Sequence, residues 1–279
     1  MSGSAHRGSL AQSLQSFRAT HPVRELEHRG THWRYLRGGA GEPAVLALTG
    51  ALGVAELGFE VMRALERRFT VVAPDYPALA DAAGFLDGLL AILDRERIAK
   101  AVLHGGSFGG LLVQRMVERA PDRVEAIVLS HTGLVEKARI PRWALALSDA
   151  LPESWFRALL ARRFGPLIAP ADEFWKDWVK ETLDRLGKPA MMARFRLARS
   201  LALLEPGPTS NGWGGPALVV ESDNDPAVRA SQRGALTSRF PQARVHRFSG
   251  TGHIASVLDP EGYATIIGGF IEGRVRSSA

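Results

Sequence analysis

Five residues, Gly105-Gly106-Ser107-Phe108-Gly109, give this 279-residue chain its clearest capacity for chemistry. They spell Gly-x-Ser-x-Gly. An apolar stretch, Ala101-Val102-Leu103, precedes them and a helix-like stretch, Leu111 to Arg119, follows. A serine on a sharp strand-to-helix turn thrusts its hydroxyl out of the fold, and its strained backbone needs small neighbours. Such a serine is a candidate nucleophile for acyl transfer. That chemistry also needs a base to take the hydroxyl proton, a carboxylate to orient the base, and backbone donors for the oxyanion.

The base is sought among eight histidines. His6, His21, His28 and His32 lie in the N-terminal region, His104 in the strand entering the turn, and His246 in the middle of a later strand. His131 is the seventh. His253 stands in the glycine-rich loop Ser249-Gly250-Thr251-Gly252-His253, just past the last apolar strand, and is the expected base. The acid is expected after Val220, where Glu221, Asp223 and Asp225 cluster. Asp225 is preferred because Asp225-Pro226 opens a turn, with Asp223 as the alternative. The order serine, acid, histidine is the one this serine turn requires. The oxyanion donors are expected at the amide of Phe108 and in the loop Thr49-Gly50-Ala51-Leu52-Gly53, with Ala51 preferred and Leu52 as the alternative.

Other chemistries fit poorly. The glycine run lacks the Gly-Lys-Ser/Thr of a phosphate loop, and a serine stands where a dinucleotide fingerprint needs glycine. Histidines and acids show no metal-ligand spacing, and the chain has no cysteine, so disulfides and thiolate sites are excluded. The net charge of +6 is concentrated in residues 134–205, with 13 Lys and Arg against 9 Asp and Glu. These alternate as on solvated helix faces, so no nucleic-acid partner is expected. No cofactor, metal or membrane span is expected, no secretory signal is read near Met1, and a cytoplasmic setting follows.

The elements that must position these residues alternate along the chain. A hairpin is expected around Arg29-Gly30, and strands at 45–48, 70–73, 101–103, 124–129, 217–220 and 243–248. Helices are expected at 55–68, 82–95 after the N-cap Asp81, 111–119, 227–240 and 260–272. This alternation argues for a parallel sheet with crossover helices. Between residues 134 and 205 strand signals vanish, and helical segments follow one another between Pro141, Pro152, Pro166, Pro170 and Pro189. The division expected is an N-terminal tail over 1–20, partly flexible, a core over 21–133 and 206–279, and an inserted helical cap over 134–205. Residues 206–212 read as a loop returning the chain to the sheet.

Taken together, Ser107, Asp225 and His253 in this order at strand ends resemble the α/β-hydrolase superfamily over about residues 23–272. The stretch from Pro74-Asp75-Tyr76-Pro77 through the serine turn is also similar to maspardin-type members. The resemblance implies a mostly parallel eight-stranded sheet flanked by helices, with the insertion as a cap. It implies Ser107 as nucleophile, Asp225 as acid, His253 as base, and Ala51 and Phe108 as oxyanion donors. Thr49-Gly50 replaces the His-Gly of many members, and Gly106 replaces a larger residue before the serine. The expected substrate is a small ester with an apolar part, bound by Leu52 and by cap aromatics such as Trp143 and Trp155. Related acyl-transfer or C–C hydrolysis on the same triad, and a non-catalytic binding protein of this fold, are the alternatives. Oligomeric state is left open.

Overall fold

A computed structural model describes residues 2–137, 140–205 and 213–275. The expected 206–212 loop lies outside the described residues. The first hairpin joins β1 (Arg24–His28) to β2 (Thr31–Gly38). Arg29 and Gly30 both take positive φ, 49° and 75°, as a two-residue hairpin turn requires. The strands β3 (Ala44–Leu48), β4 (Thr70–Pro74), β5 (Ala101–Gly106), β6 (Val124–Ser130), β7 (Ala217–Ser222) and β8 (Arg244–Phe248) complete an eight-stranded sheet. Its order is β1-β2-β4-β3-β5-β6-β7-β8. Only the pairs of β2 with β1 and β4 are antiparallel; the other neighbours run parallel. The central strands are mostly apolar, because helices cover both faces.

On one face, α2 (Phe59–Leu65) and α10 (Pro260–Val275) pack over Val45, Val71, Val102 and Val128. On the other, α3 (Ala82–Arg95), α4 (Phe108–Arg119) and α8 (Ala230–Arg239) cover Leu46, Val72, Leu103 and Ile127. Asp81 caps α3 by accepting from the Gly84 amide at 2.6 Å. Two helices are shorter than their periodicity suggests. The 55–68 segment divides at Gly58 into a 3₁₀ turn and α2. The segment after β7 starts its helix only at Ala230, because the amides of Ala227 and Val228 bind the Asp225 carboxylate instead.

Residues 2–20, expected as a tail, form α1 (Ser2–Thr20). Leu10, Leu14 and Phe17 recur at helical spacing and are buried in the core beside α2. Phe17 stacks on His21 and meets Phe59, which in turn meets Trp175. Between β6 and β7 run α5 (Arg142–Ala150), α6 (Glu153–Ile168) and the long α7 (Glu173–Leu203), with no strand among the described residues. After β8 comes the single-turn α9 (Ala255–Leu258). Pro141 and Pro152 precede α5 and α6, while Pro166 sits inside the last turn of α6. Pro189 does not end α7; the helix kinks at Gly187, whose φ is 64°. Leu145, Phe156, Leu160, Met191 and Met192 form the insertion's own cluster.

Phe17→Ala is expected to cost about 3–5 kcal/mol, as for other fully buried phenylalanines. Trp143→Ala, at a side chain 71% exposed, is expected to change stability by less than about 0.5 kcal/mol. Urea denaturation of the two variants checks this ordering; equal losses would mean that α1 does not hold the core.

Candidate active site

The turn after β5 brings three segments into contact. Any side chain at Gly105 would collide with the Gly109 carbonyl, and one at Gly109 with the Leu48 carbonyl. With both bare, α4 starts directly against β3 and β5, and Ser107 is forced to φ 50°, ψ −112°. Its amide donates to the Ser130 carbonyl at 2.8 Å, which fixes the turn to β6. Gly106 is different: a side chain there meets nothing within 4 Å, and the residue lines a cavity.

His253 and Ser107 meet at the carboxyl end of the sheet, where Nε2 lies 2.9 Å from Oγ. On its other side, Nδ1 lies 2.9 and 3.0 Å from the two carboxylate oxygens of Asp225. The pair is largely shielded, with side-chain exposures of 8% and 1%. Burial works to raise the Asp225 pKa. The bond and charge pairing with His253, and the amides of Ala227 and Val228, outweigh it and hold the carboxyl below its usual range.

The neighbouring acids are engaged elsewhere. Asp223 accepts from Ser249 Oγ at 2.8 Å and from the Gly250 amide at 2.9 Å. Glu221 pairs with Arg247, 2.7 Å from its Nε, and with Arg233. Asn224 Oδ1 accepts from the Gly252 amide at 2.8 Å, so this loop also ties down the one bearing His253.

Ala51 and Leu52 both line the cavity beside Ser107. The Phe108 amide opens α4, in the first turn, where helix amides lack intrahelical partners. Its ring turns inward, 6.1 Å from Tyr76. Tyr76 braces the loop after β3 at both ends: its hydroxyl donates to the Thr49 carbonyl at 2.7 Å, and its amide to the Gly53 carbonyl at 2.8 Å. Arg194 of α7, itself buried, donates to the carbonyls of Tyr76 and Pro77. The insertion is thereby bonded to the segment that shapes this loop. Neither Tyr76 nor Arg194 carries a sequence signal for the role.

Two further histidines lie close by. His131 follows β6 with φ 47° and is buried edge-on to His253, ring centroids 5.9 Å apart. Its nitrogens bond Ser130 Oγ and Ser222 Oγ, each at 2.8 Å. Ser222 Oγ continues to Thr251 Oγ1 at 2.7 Å. Burial, with the nearby His253, lowers the His131 pKa to about 4. Position after a strand end, the criterion that selects His253, would also have selected His131. His104 does more than pack along its strand: it lines the cavity, and its Nε2 is 2.8 Å from the Tyr263 hydroxyl. Burial lowers it to about 4 as well.

The cavity is about 170 Å³. Its wall from the insertion is Phe164, Leu167, Ile168 and Val179. Trp143 and Trp155, expected there, are instead on the outer surface, 71% and 68% exposed. Leu145 and Phe156 take the inward faces of α5 and α6, and neighbouring positions point the tryptophans away. Trp175 and Trp178 pack into the core below α1.

Residues 43–260 match the alpha/beta hydrolase fold family. Maspardin of Mus musculus is 24% identical over 201 residues, 69% of this chain and 63% of maspardin, so the chain spans under two thirds of that relative. RutD of Caulobacter vibrioides is 26% identical over 269 residues, 88% of this chain and 96% of RutD. Among solved structures, a hydrolase from Pseudomonas aeruginosa PA01 superposes with a TM-score of 0.75 at 20% identity, covering 90% of this chain and 98% of that one. The sheet order, the serine turn and this match over most of the chain agree: the protein belongs to the α/β hydrolase fold family.

Proposed function

We propose that the protein is a serine hydrolase that cleaves a carboxylic ester with an apolar moiety. The observation that carries this reading is the continuous hydrogen-bonded chain Ser107–His253–Asp225 at the edge of an apolar cavity. His253 takes the Ser107 proton as Oγ attacks the ester carbonyl, and the tetrahedral oxygen faces the amides of Phe108 and Ala51. The alkoxide leaves with the proton from His253. Water, deprotonated by the same imidazole, then attacks the acyl-enzyme, and the acid leaves as His253 returns that proton to Ser107 Oγ. Asp225 holds the Nδ1 tautomer and stabilises the imidazolium. A depressed Asp225 pKa supports this role, since the carboxylate remains charged through the neutral range. His104 and His131 stay uncharged there, so neither adds a competing positive charge to the site.

Three variants test the reading with short p-nitrophenyl esters. Ser107→Ala is expected to abolish turnover. Asp225→Asn is expected to lower kcat by about 10⁴-fold, as loss of the orienting carboxylate does in serine proteases. Asp223→Asn is expected to cost far less, because that carboxylate serves a loop. A severe loss at Asp223 with little at Asp225 would reverse the assignment, and Ser107→Ala with full activity would end the proposal.

The buried histidines also set a stability profile. Their folded pKa values near 4 lie below the ordinary 6.5, so between these limits the unfolded chain binds protons that the folded chain refuses. Their full contribution is present above about pH 6.5 and is lost as pH falls toward 4, on the order of 3 kcal/mol for each. Urea titrations across pH 4–6.5 are expected to show a shallower slope for His104→Phe than for the wild type. An unchanged slope would mean that His104 is not held neutral by the fold.

A further inference from the structure

The face of the sheet under α2 and α10 changes character along its strands. Side chains on one face alternate with period two, so each strand offers this face one residue per layer. The lower layer is Val45, Val71, Val102 and Ala126, all buried. The next layer toward Ser107 is Ala47, Ala73, His104 and Val128; the first three line the cavity, as does Ser130 one layer further on beside Gly106. Alanine in place of valine on β3 and β4 leaves open space between the sheet and Val61, Met62 and Leu65 of α2. This space is closed at the bottom by Leu65 and Val71, which are at most 1% exposed. At its other end it runs past Ser107 to the wall supplied by the insertion. Its lining thus falls into two groups, that of the insertion and that of the sheet and α2, and the second outlines a dead-end compartment against the buried Leu65 and Val71.

We propose that the dead-end compartment receives the acyl group of the ester, and that this group is uncharged and no larger than about an aromatic ring. The inference rests on the hydrolase reading above and narrows its substrate class. The acyl group is assigned by the order of the reaction. The alcohol must leave while the acyl group is still bonded to Ser107, and an alcohol seated in the closed compartment would have to pass the acylated serine to escape. The side of the insertion leaves it a way out. The size follows from the volume: an apolar protein cavity of about 150 Å³ takes one benzene, and the whole space here is about 170 Å³. The absence of charge follows from the walls. No Lys, Arg, Asp or Glu lines the cavity among the described residues, and His104 is bonded to Tyr263 and held neutral by burial. A carboxylate carried into the compartment would be buried without an opposite charge. Thr49 Oγ1 and His104 Nδ1, on the cavity's walls, have no hydrogen-bond partner among the described residues. They make a neutral oxygen on the acyl group acceptable where a charged one is not.

The test is a series of p-nitrophenyl esters with acetyl, butanoyl, dodecanoyl and mono-glutaryl groups, and a second series of butanoates differing only in the alcohol. The wild type is expected to prefer butanoyl over both dodecanoyl and glutaryl in kcat/KM. Filling the compartment by Ala47→Leu is expected to lower the butanoyl-to-acetyl ratio by about 10-fold or more, since one methylene in an apolar pocket discriminates roughly 10–200-fold. The ratios among alcohols are expected to hold. Should Ala47→Leu not fold, Ala73→Val fills the same space from the neighbouring strand with a smaller change. A butanoyl-to-acetyl ratio that stays constant, a shift among alcohols instead of acyl groups, or a wild type that favours dodecanoyl or glutaryl would overturn the assignment and leave the hydrolase reading intact. Failure of the wild type to cleave any ester in a Ser107-dependent way would overturn both.

Discussion

The backbone of Ser107 is the constraint on which the rest of the site depends. A non-glycine residue at φ 50°, ψ −112° is strained, by an amount on the order of 1–3 kcal/mol. The strain persists because β3, β5 and α4 are packed so closely at Gly105 and Gly109 that the chain has no other route from strand to helix. That packing fixes where the hydroxyl sits. It also puts the amide of Phe108 at the start of a helix, and it sets the loop after β3 beside the serine, since the Leu48 carbonyl is what Gly109 touches.

The neighbouring loops are arranged around that fixed point by hydrogen bonds that sort otherwise similar residues. Three acids fall within five positions at the end of β7. Pairing with Arg247 and Arg233 takes up Glu221, and the Ser249–Gly250 turn takes up Asp223. Asp225 alone reaches His253, and two backbone amides orient it there. The loop after β3 is held by Tyr76, and Tyr76 is held by Arg194 from the insertion. Cavity wall and serine environment are therefore mechanically joined across α7, although their residues lie far apart in the chain.

Much of this was readable from residue order. Gly-x-Ser-x-Gly between a strand and a helix, with an acid and a histidine after later strands, specifies a geometry because parallel strands deliver their carboxyl ends to one edge. The sheet was legible for the same reason, since buried strands are short apolar runs. Helical faces in the insertion were not. Trp143 and Trp155 are apolar and at helical spacing with Leu147 and Leu159, yet those stripes face outward, and Leu145 and Phe156 face in. Periodicity identifies a face but not what covers it. Leu10, Leu14 and Phe17 carry the spacing of α1, but the serine- and glycine-rich start of the chain masks it. Tyr76 and Arg194 act through backbone carbonyls, and such partners leave no mark in side-chain patterns.

The central claim is that Ser107 is the nucleophile and carries the acyl group. Its most direct test is reaction with a fluorophosphonate, which phosphonylates activated serines, followed by mass mapping of the peptides. The account predicts one adduct, on the peptide containing Ser107, with labelling lost in His253→Ala. No adduct under conditions that label a known serine hydrolase, or an adduct on another serine, would contradict it.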